Sequence, residues 1–191
     1  MKALFALLLT GSAAFADPAI RPADMIRFDQ RDANLGAALR IAFAAGAAQD
    51  TALLTEALSG LPNQIAPEGD WNCRILKLGG LLSLTTYPNF RCRFTRTGPN
   101  AWRIEKLTGS QRFVGDVHGG DGEAIFLGVG HVGDAPATDY AGLPPGDQTP
   151  VEPNQTTAEI GVFEQMGPTR ARLLLPDPIL ESDFDIVYFT R

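Results

Sequence analysis

Cysteine and histidine are scarce in this chain, two of each among 191 residues. Cys73 and Cys92 are too few for a disulfide scaffold or a cysteine zinc cluster, and no Cys-x-x-Cys is present for thiol exchange. Positive charge is thin as well: 16 basic residues face 22 acidic ones without any Lys/Arg cluster. Nucleic acid is therefore not an expected partner, since such a surface repels phosphate backbones and anionic headgroups. After residue 16 no apolar run approaches the roughly 20 residues of a membrane-spanning helix, so no span is expected in the mature chain. A Gly-x-Ser-x-Gly elbow is missing. The Gly-rich segment Gly128 to Gly133 lacks the lysine of a phosphate loop and the strand-to-helix setting of a dinucleotide site, and its glycines read as sites of close packing or a bulge. No cofactor is expected.

What is present begins with Lys2, the apolar run Ala3 to Leu9 and Ala14-Phe15-Ala16, which together read as a secretory signal peptide cleaved after Ala16. The mature protein then starts at Asp17, and loss of Lys2 takes the formal net charge from −6 to −7. No Cys follows the cleavage site to take a lipid. A periplasmic, oxidising location follows. The remainder is long enough to bury one hydrophobic core, divided by texture into a helical segment over 17–66 and a β domain over 67–191.

Between Ala23 and Leu61 the chain is rich in Ala and Leu and free of interior proline, which predicts a helical hairpin. Leu35, Leu39 and Phe43 mark one face of a first helix ending at Gly46. Asp50 reads as the N-cap of a second, lined by Leu54, Leu58 and Leu61 and closed by Gly60 and Pro62. The Ala-rich stripe reads first as a packing face, second as a partner surface. After Pro67 short β-branched and aromatic runs alternate with turn residues. Nine strands are predicted: Trp71 to Leu78, Leu81 to Tyr87, Phe90 to Thr95, Ala101 to Leu107, Gln111 to Val117, Glu123 to Gly130, Thr157 to Gln165, Arg170 to Leu175 and Phe184 to Phe189. The fold class is mainly β with an N-terminal helical hairpin, an antiparallel barrel or sandwich of general lipocalin or avidin architecture. Five prolines between Gly133 and Thr156 exclude a central strand there and predict an exposed, mobile loop.

In an oxidising compartment Cys73 and Cys92 read as a structural disulfide. A disulfide needs Cα atoms within about 7 Å, whereas alternate strands of a flat meander lie two spacings of roughly 4.8 Å apart. Either the two cysteine strands are direct neighbours, or the sheet curls strongly. The cross-link stabilises the fold by roughly 3 kcal/mol on the chain-entropy estimate.

His118 and His131 with Asp116, Asp121 and Asp134 invite a metal site, but register places the histidines at opposite ends of one hairpin. No metal is expected, and Asp121-Gly122 reads as turn chemistry. Ser110 and Ser182 are the candidate nucleophiles. Glu181, Asp183 and Asp185 resemble a glycosidase carboxylate group, yet their spacing predicts that at least two are solvated or paired with Arg170, Arg172 or Arg112. Gly69-Asp70-Trp71 is similar to the Gly-x-Trp of lipocalin-type barrels, in which the Trp plugs the closed end; the alternative is that Trp71 is simply a core residue.

The most distinctive string is Lys106-Leu-Thr-Gly-Ser-Gln-Arg112, a strand ending in a polar patch that core packing alone would not select. With Cys73-Arg74, Lys77-Leu78-Gly79, Tyr87-Pro88, Phe90, Cys92, Phe126-Leu127-Gly128, Gly133-Asp134, Pro176, Pro178, Glu181-Ser182 and Asp185, it resembles the bacterial exported family catalogued as domain of unknown function 4893. The resemblance spans almost the whole mature chain and implies a family without an assigned reaction. The Pro-rich loop after Asp134 is longer than that family's pattern.

Arg74, Lys77, Lys106, Gln111, Arg112, Glu181 and Ser182 are the candidate ligand-binding residues. They form either a closed Arg and Glu brace between strands or, if open to solvent, a ligand mouth at one end of the barrel. The leading expectation is a non-enzymatic envelope protein that binds a small ligand or a protein partner through that end. The alternatives are a periplasmic hydrolase using Ser110, Ser182 or the Glu181 and Asp185 carboxylates, and a structural component of an envelope assembly with the helices as its contact.

Overall fold

From Gly69 onward the chain folds as one antiparallel meander: β1 (Gly69–Leu78), β2 (Leu84–Thr86), β3 (Phe90–Gly98), β4 (Ala101–Lys106), β5 (Gln111–His118), β6 (Ala124–Val132), β7 (Thr157–Gly167), β8 (Arg170–Pro176) and β9 (Phe184–Thr190). The computed structural model describes residues 19–191 apart from Gln64 and Asp121. The expected leader and the expected Asp121 turn position lie outside these residues. Strand β1 pairs with β9 along one edge and with β3 along the other, so the sheet closes into an eight-stranded barrel. Strand β2 prolongs the line of β3 along the upper part of β1, joined through Tyr87 N–H to the Ile75 carbonyl at 2.9 Å.

The cysteine strands are therefore direct neighbours. Register sets Cys73 opposite Phe90 and Trp71 opposite Cys92, which brings the two cysteine Cα atoms to 5.9 Å with their sulfurs at bonding distance. The strand expected between them is present but short, as β2, and it lies beside β1 in line with β3 rather than between the cysteine strands.

Closure gives every strand an inner and an outer face. Strands β3, β4 and β5 alternate buried inward residues with more exposed outward ones, because their outer face meets water. Strand β9 is buried at six consecutive positions, since helices cover its outer side. Three helices do this: α1 (Pro22–Asp29), α2 (Arg31–Ala45) and α3 (Ala48–Leu58). The expected hairpin is thus three helices, with a break at Gln30. Ala38 and Ala42 of α2, fully buried, approach the outer face of β1, β8 and β9, while Phe43 is turned outward and 51% exposed. Alanine permits that close approach, and a helix apolar on all sides conceals which face packs. Helix α3 begins two residues before Asp50, whose carboxylate accepts a hydrogen bond from the Thr86 hydroxyl at 2.6 Å instead of capping. Leu61 lies beyond the helix and is exposed. Arg172 and Arg170 on β8 donate to carbonyls at the C-terminal end of α3, supplying partners for acceptors that the helix cannot satisfy itself.

The Pro-rich loop runs outside the sheet and is largely exposed, as expected, but it is anchored at a few buried residues. Tyr140, Leu143 and Thr156 are buried, and the loop is tied to α1 through Asp24, which is fully buried. The Asp24 carboxylate accepts from the Tyr140 hydroxyl at 2.8 Å, from Gln148 at 2.7 Å and from Arg27 at 3.0 Å, and pairs with Arg21 at 3.2 Å. Arg27 reaches on to the Ala158 carbonyl of β7 at 2.8 Å. One carboxylate so joins helix, loop and barrel. Asp24→Ala strands two buried arginines without their counter-charge, and the expected loss is about 3–5 kcal/mol. Urea unfolding of the variant checks this; a loss below about 1 kcal/mol contradicts the role assigned to Asp24.

Candidate functional site

The barrel interior is filled unevenly. At the end where β1 starts, Trp71, Phe94, Phe163 and Phe189 pack mostly edge to face, with Trp71–Phe94 and Phe94–Phe189 centroids 5.9 and 5.1 Å apart. Arg191 lies 3.9 Å above the Trp71 ring, and the Trp71 indole donates to the Pro67 carbonyl at 2.6 Å. Trp71 thus plugs one end, as the Gly-x-Trp likeness implied.

The other end is open, with a cavity of about 460 Å³. Its walls are apolar at Ile75, Phe90, Phe113, Leu175 and Val187 and polar at Lys77, Lys106, Gln111, Arg112, Thr157, Glu159, Glu181 and Asp185. Missing side chains on β5 and β6 shape the interior. A Cβ on Gly115 would lie 2.7 Å from the Phe126 ring, and one on Gly130 would lie 2.7 Å from a Glu159 carboxylate oxygen. The glycine run therefore serves close packing, as expected.

A strap of hydrogen bonds crosses the mouth. Lys77 of β1 donates to Glu181 at 2.7 Å, and Gln111 of β5 donates to the other Glu181 oxygen at 3.1 Å. Glu181 sits at φ 79°, a region that L residues rarely occupy, and the Gly79-Gly80 tip packs against the backbone after it, where a Cβ on Gly80 would strike the Glu181 carbonyl. The hydrogen bond and charge of Lys77 hold the Glu181 carboxyl below its ordinary value. Burial opposes the charge on Lys77, but Asp185 and Glu181 outweigh it and raise that ammonium above its ordinary value. The expected Arg and Glu brace is made by lysine and glutamine instead. Arg170 and Arg172 serve α3, while Arg112 donates to the Gly109 carbonyl at 3.0 Å and lies 3.7 Å from the exposed Asp134. Glu181 and Asp183 are solvated, as the spacing predicted.

Three groups below the strap have displaced acidities. Burial, then the charges of Arg112 and Lys77, push Lys106 down to about 8; its ammonium donates to the Thr108 and Gln111 carbonyls at 2.9 and 2.5 Å and lies 3.7 Å from the Phe90 ring centroid. Burial pushes Asp185 up to about 6 despite Lys77 and the Ser182 hydroxyl, which donates to it at 2.6 Å. Burial also pushes Glu159 up to about 7, and its carboxyl has no hydrogen-bond partner among the described residues. Glu159 keeps some exposure, and what it is exposed to is the cavity.

Five of the seven candidate residues, Lys77, Lys106, Gln111, Arg112 and Glu181, converge on this cavity. Two do not. Arg74 donates to the Tyr87 carbonyl at 3.0 Å, and Ser182 is buried against Asp185. Ser110 is on the rim and His131 pairs with Arg112, whereas His118 pairs with Ile125 at the far end of the hairpin. Burial and then Arg112 keep His131 below its ordinary value, and its Nδ1 has no partner among the described residues. Neither serine hydroxyl is hydrogen-bonded to a histidine among the described residues. Glu159 and Thr157 were missed. A signal existed: Glu159 shares strand parity with Gly161 and Phe163 and is the one charge at an inward position of that run.

The raised acids make stability pH-dependent with a definite sign. A carboxyl whose folded pKa lies above its unfolded value contributes fully below the unfolded value and loses that contribution as pH rises through the folded one. For Glu159 the window runs from 4.5 to about 7. Unfolding free energy measured across it should fall for the native chain by up to about 3 kcal/mol from this group. Glu159→Gln should flatten the slope, and an unchanged slope would place the titration elsewhere.

No curated protein and no solved structure matches the chain. A family model does, over residues 17–189. That span takes in β1 to β8, nearly all of β9 and every residue of the cavity, so the chain belongs to the family described as Domain of unknown function (DUF4893).

Proposed function

We propose that this is an exported, non-enzymatic envelope protein that binds a small ligand in the open half of its barrel. The observation that carries the reading is the uneven filling of the interior: aromatic rings seal one end, and the other keeps about 460 Å³ of space. Small-molecule sites typically occupy roughly 300–1,000 Å³ and join an apolar wall to a few convergent polar groups. This cavity has both, and shifted acidities gather in it, which is common at functional sites. Location outside the cytosol is supported by the signal-peptide features of residues 1–16 and by the cysteine sulfurs at bonding distance. The hydrolase alternative keeps the Ser182 to Asp185 hydrogen bond, but neither serine is hydrogen-bonded to a histidine among the described residues and Ser182 does not line the cavity.

The full chain, expressed with its leader and recovered from the periplasm, should give an intact mass that starts at Asp17 and is two hydrogens below the reduced form. A full-length, cytosolic or fully reduced product overturns the exported reading. Native mass spectrometry of that material should show a co-purifying small species that Ile75→Trp, which fills the cavity, removes while unfolding stays cooperative. A species retained in a folded Ile75→Trp protein would show that the cavity is not its site.

A further inference from the structure

The cavity's charges are not evenly answered. Glu181 is engaged by Lys77 and Gln111, and Asp185 by Ser182. Glu159, enclosed by the wall over Gly130, is held towards its neutral form. Among the cations, Lys77 has a carboxylate partner, and Arg112 has only the loose contact to solvent-exposed Asp134. Lys106 has no carboxylate within ion-pair distance among the described residues: two backbone carbonyls and the Phe90 face satisfy its donors and leave its charge uncompensated. A half-buried cation without a counter-charge in a low-dielectric site favours an anion from solution. The chain around it is acidic, with formal net charge −6, so this positive bias is local to the cavity.

We infer that the open half of the barrel takes a small amphipathic anion, a monocarboxylate or its sulfonate equivalent, with its charged group drawn to Lys106 and Arg112 and its apolar body against Phe90, Phe113, Ile75 and Val187. This rests on the ligand-binding reading above and adds the class of ligand. The remaining groups facing the cavity agree. As pH falls from 8.5 to 5.5 Lys106, Glu159 and Asp185 take up protons, Lys77 keeps its charge, and only Glu181 opposes them on the rim. Burial and the neighbouring Arg112 hold His131 below its ordinary value, which disfavours its charged form. Anion binding should therefore tighten as pH falls.

The test uses three probes whose charge does not change between pH 5.5 and 8.5: decanesulfonate, decanol and decyltrimethylammonium, titrated calorimetrically into the mature oxidised protein. Decanesulfonate should bind one to one, at least tenfold more tightly than decanol, and about tenfold more weakly at pH 8.5 than at 5.5. Lys106→Met should weaken it at least tenfold. Arg112→Gln, at a partly exposed position, should weaken it severalfold and serves where Lys106→Met disturbs the β4–β5 turn. If decanol or the quaternary amine binds as well as the sulfonate and Ile75→Trp abolishes that binding, the anion preference is overturned while the cavity reading survives. Sulfonate binding that Ile75→Trp leaves intact overturns both. Absence of binding by all three overturns the anion inference, and the co-purification experiment then judges the cavity reading by itself.

Discussion

Closure of the sheet through β1 is the constraint on which the other features depend. This one strand is paired along both edges, to β9 over Asn72–Leu78 and to β3 over Gly69–Cys73. Once it is locked, inward and outward parity is fixed around the ring, because side chains alternate strictly along a strand. Trp71, Cys73, Ile75 and Lys77 then share the inner face, which runs from the aromatic plug through the cysteine pair to the polar mouth. A slip of one residue would exchange Lys77 for Leu78 inside the barrel and turn Trp71 out to solvent, where Asp70 and Asn72 now lie.

The polar mouth reflects competition between desolvation and pairing. Charges inside a barrel lose water, and a group without a strong partner moves towards its neutral form. Glu181, bonded twice and partly solvated, stays ionised; Glu159, enclosed and without a bond, does not resist protonation near neutrality. Two carboxyls of one site are thereby separated in acidity by burial and hydrogen bonding. The strap through Lys77, Glu181 and Gln111 links strands that are not neighbours in the barrel, so the rim is held by side chains where backbone pairing has ended.

Outside the barrel, the helices and the Pro-rich loop cover what the meander leaves apolar. Strands β6 to β9 are hydrophobic on both faces because α1, α2 and α3 pack against them, with Tyr140 and Leu143 completing the cover. The same double burial made these strands readable as continuous apolar runs while hiding which residues point inward. In β3 to β5 the alternation was plain, and Lys106 could be assigned to the inner face from spacing alone. The anchoring of the loop stayed hidden because proline content reports missing ladder hydrogen bonds and says nothing of a buried tyrosine bonded to a distant aspartate.

The amino-acid sequence by itself determined the β-rich class, the approximate limits of all nine strands, the turn positions and the cysteine pair, because these follow from local periodicity and backbone chemistry. It also marked five of the residues that meet at the cavity. Only the tertiary structure decided that the sheet closes, that Asp24 ties the Pro-rich loop to the barrel, that Arg74 and Ser182 stand apart from the cavity, and that Glu159 belongs to it. Those outcomes depend on which strands meet across the ring and on how much water each charge loses there, quantities that no single stretch of sequence contains.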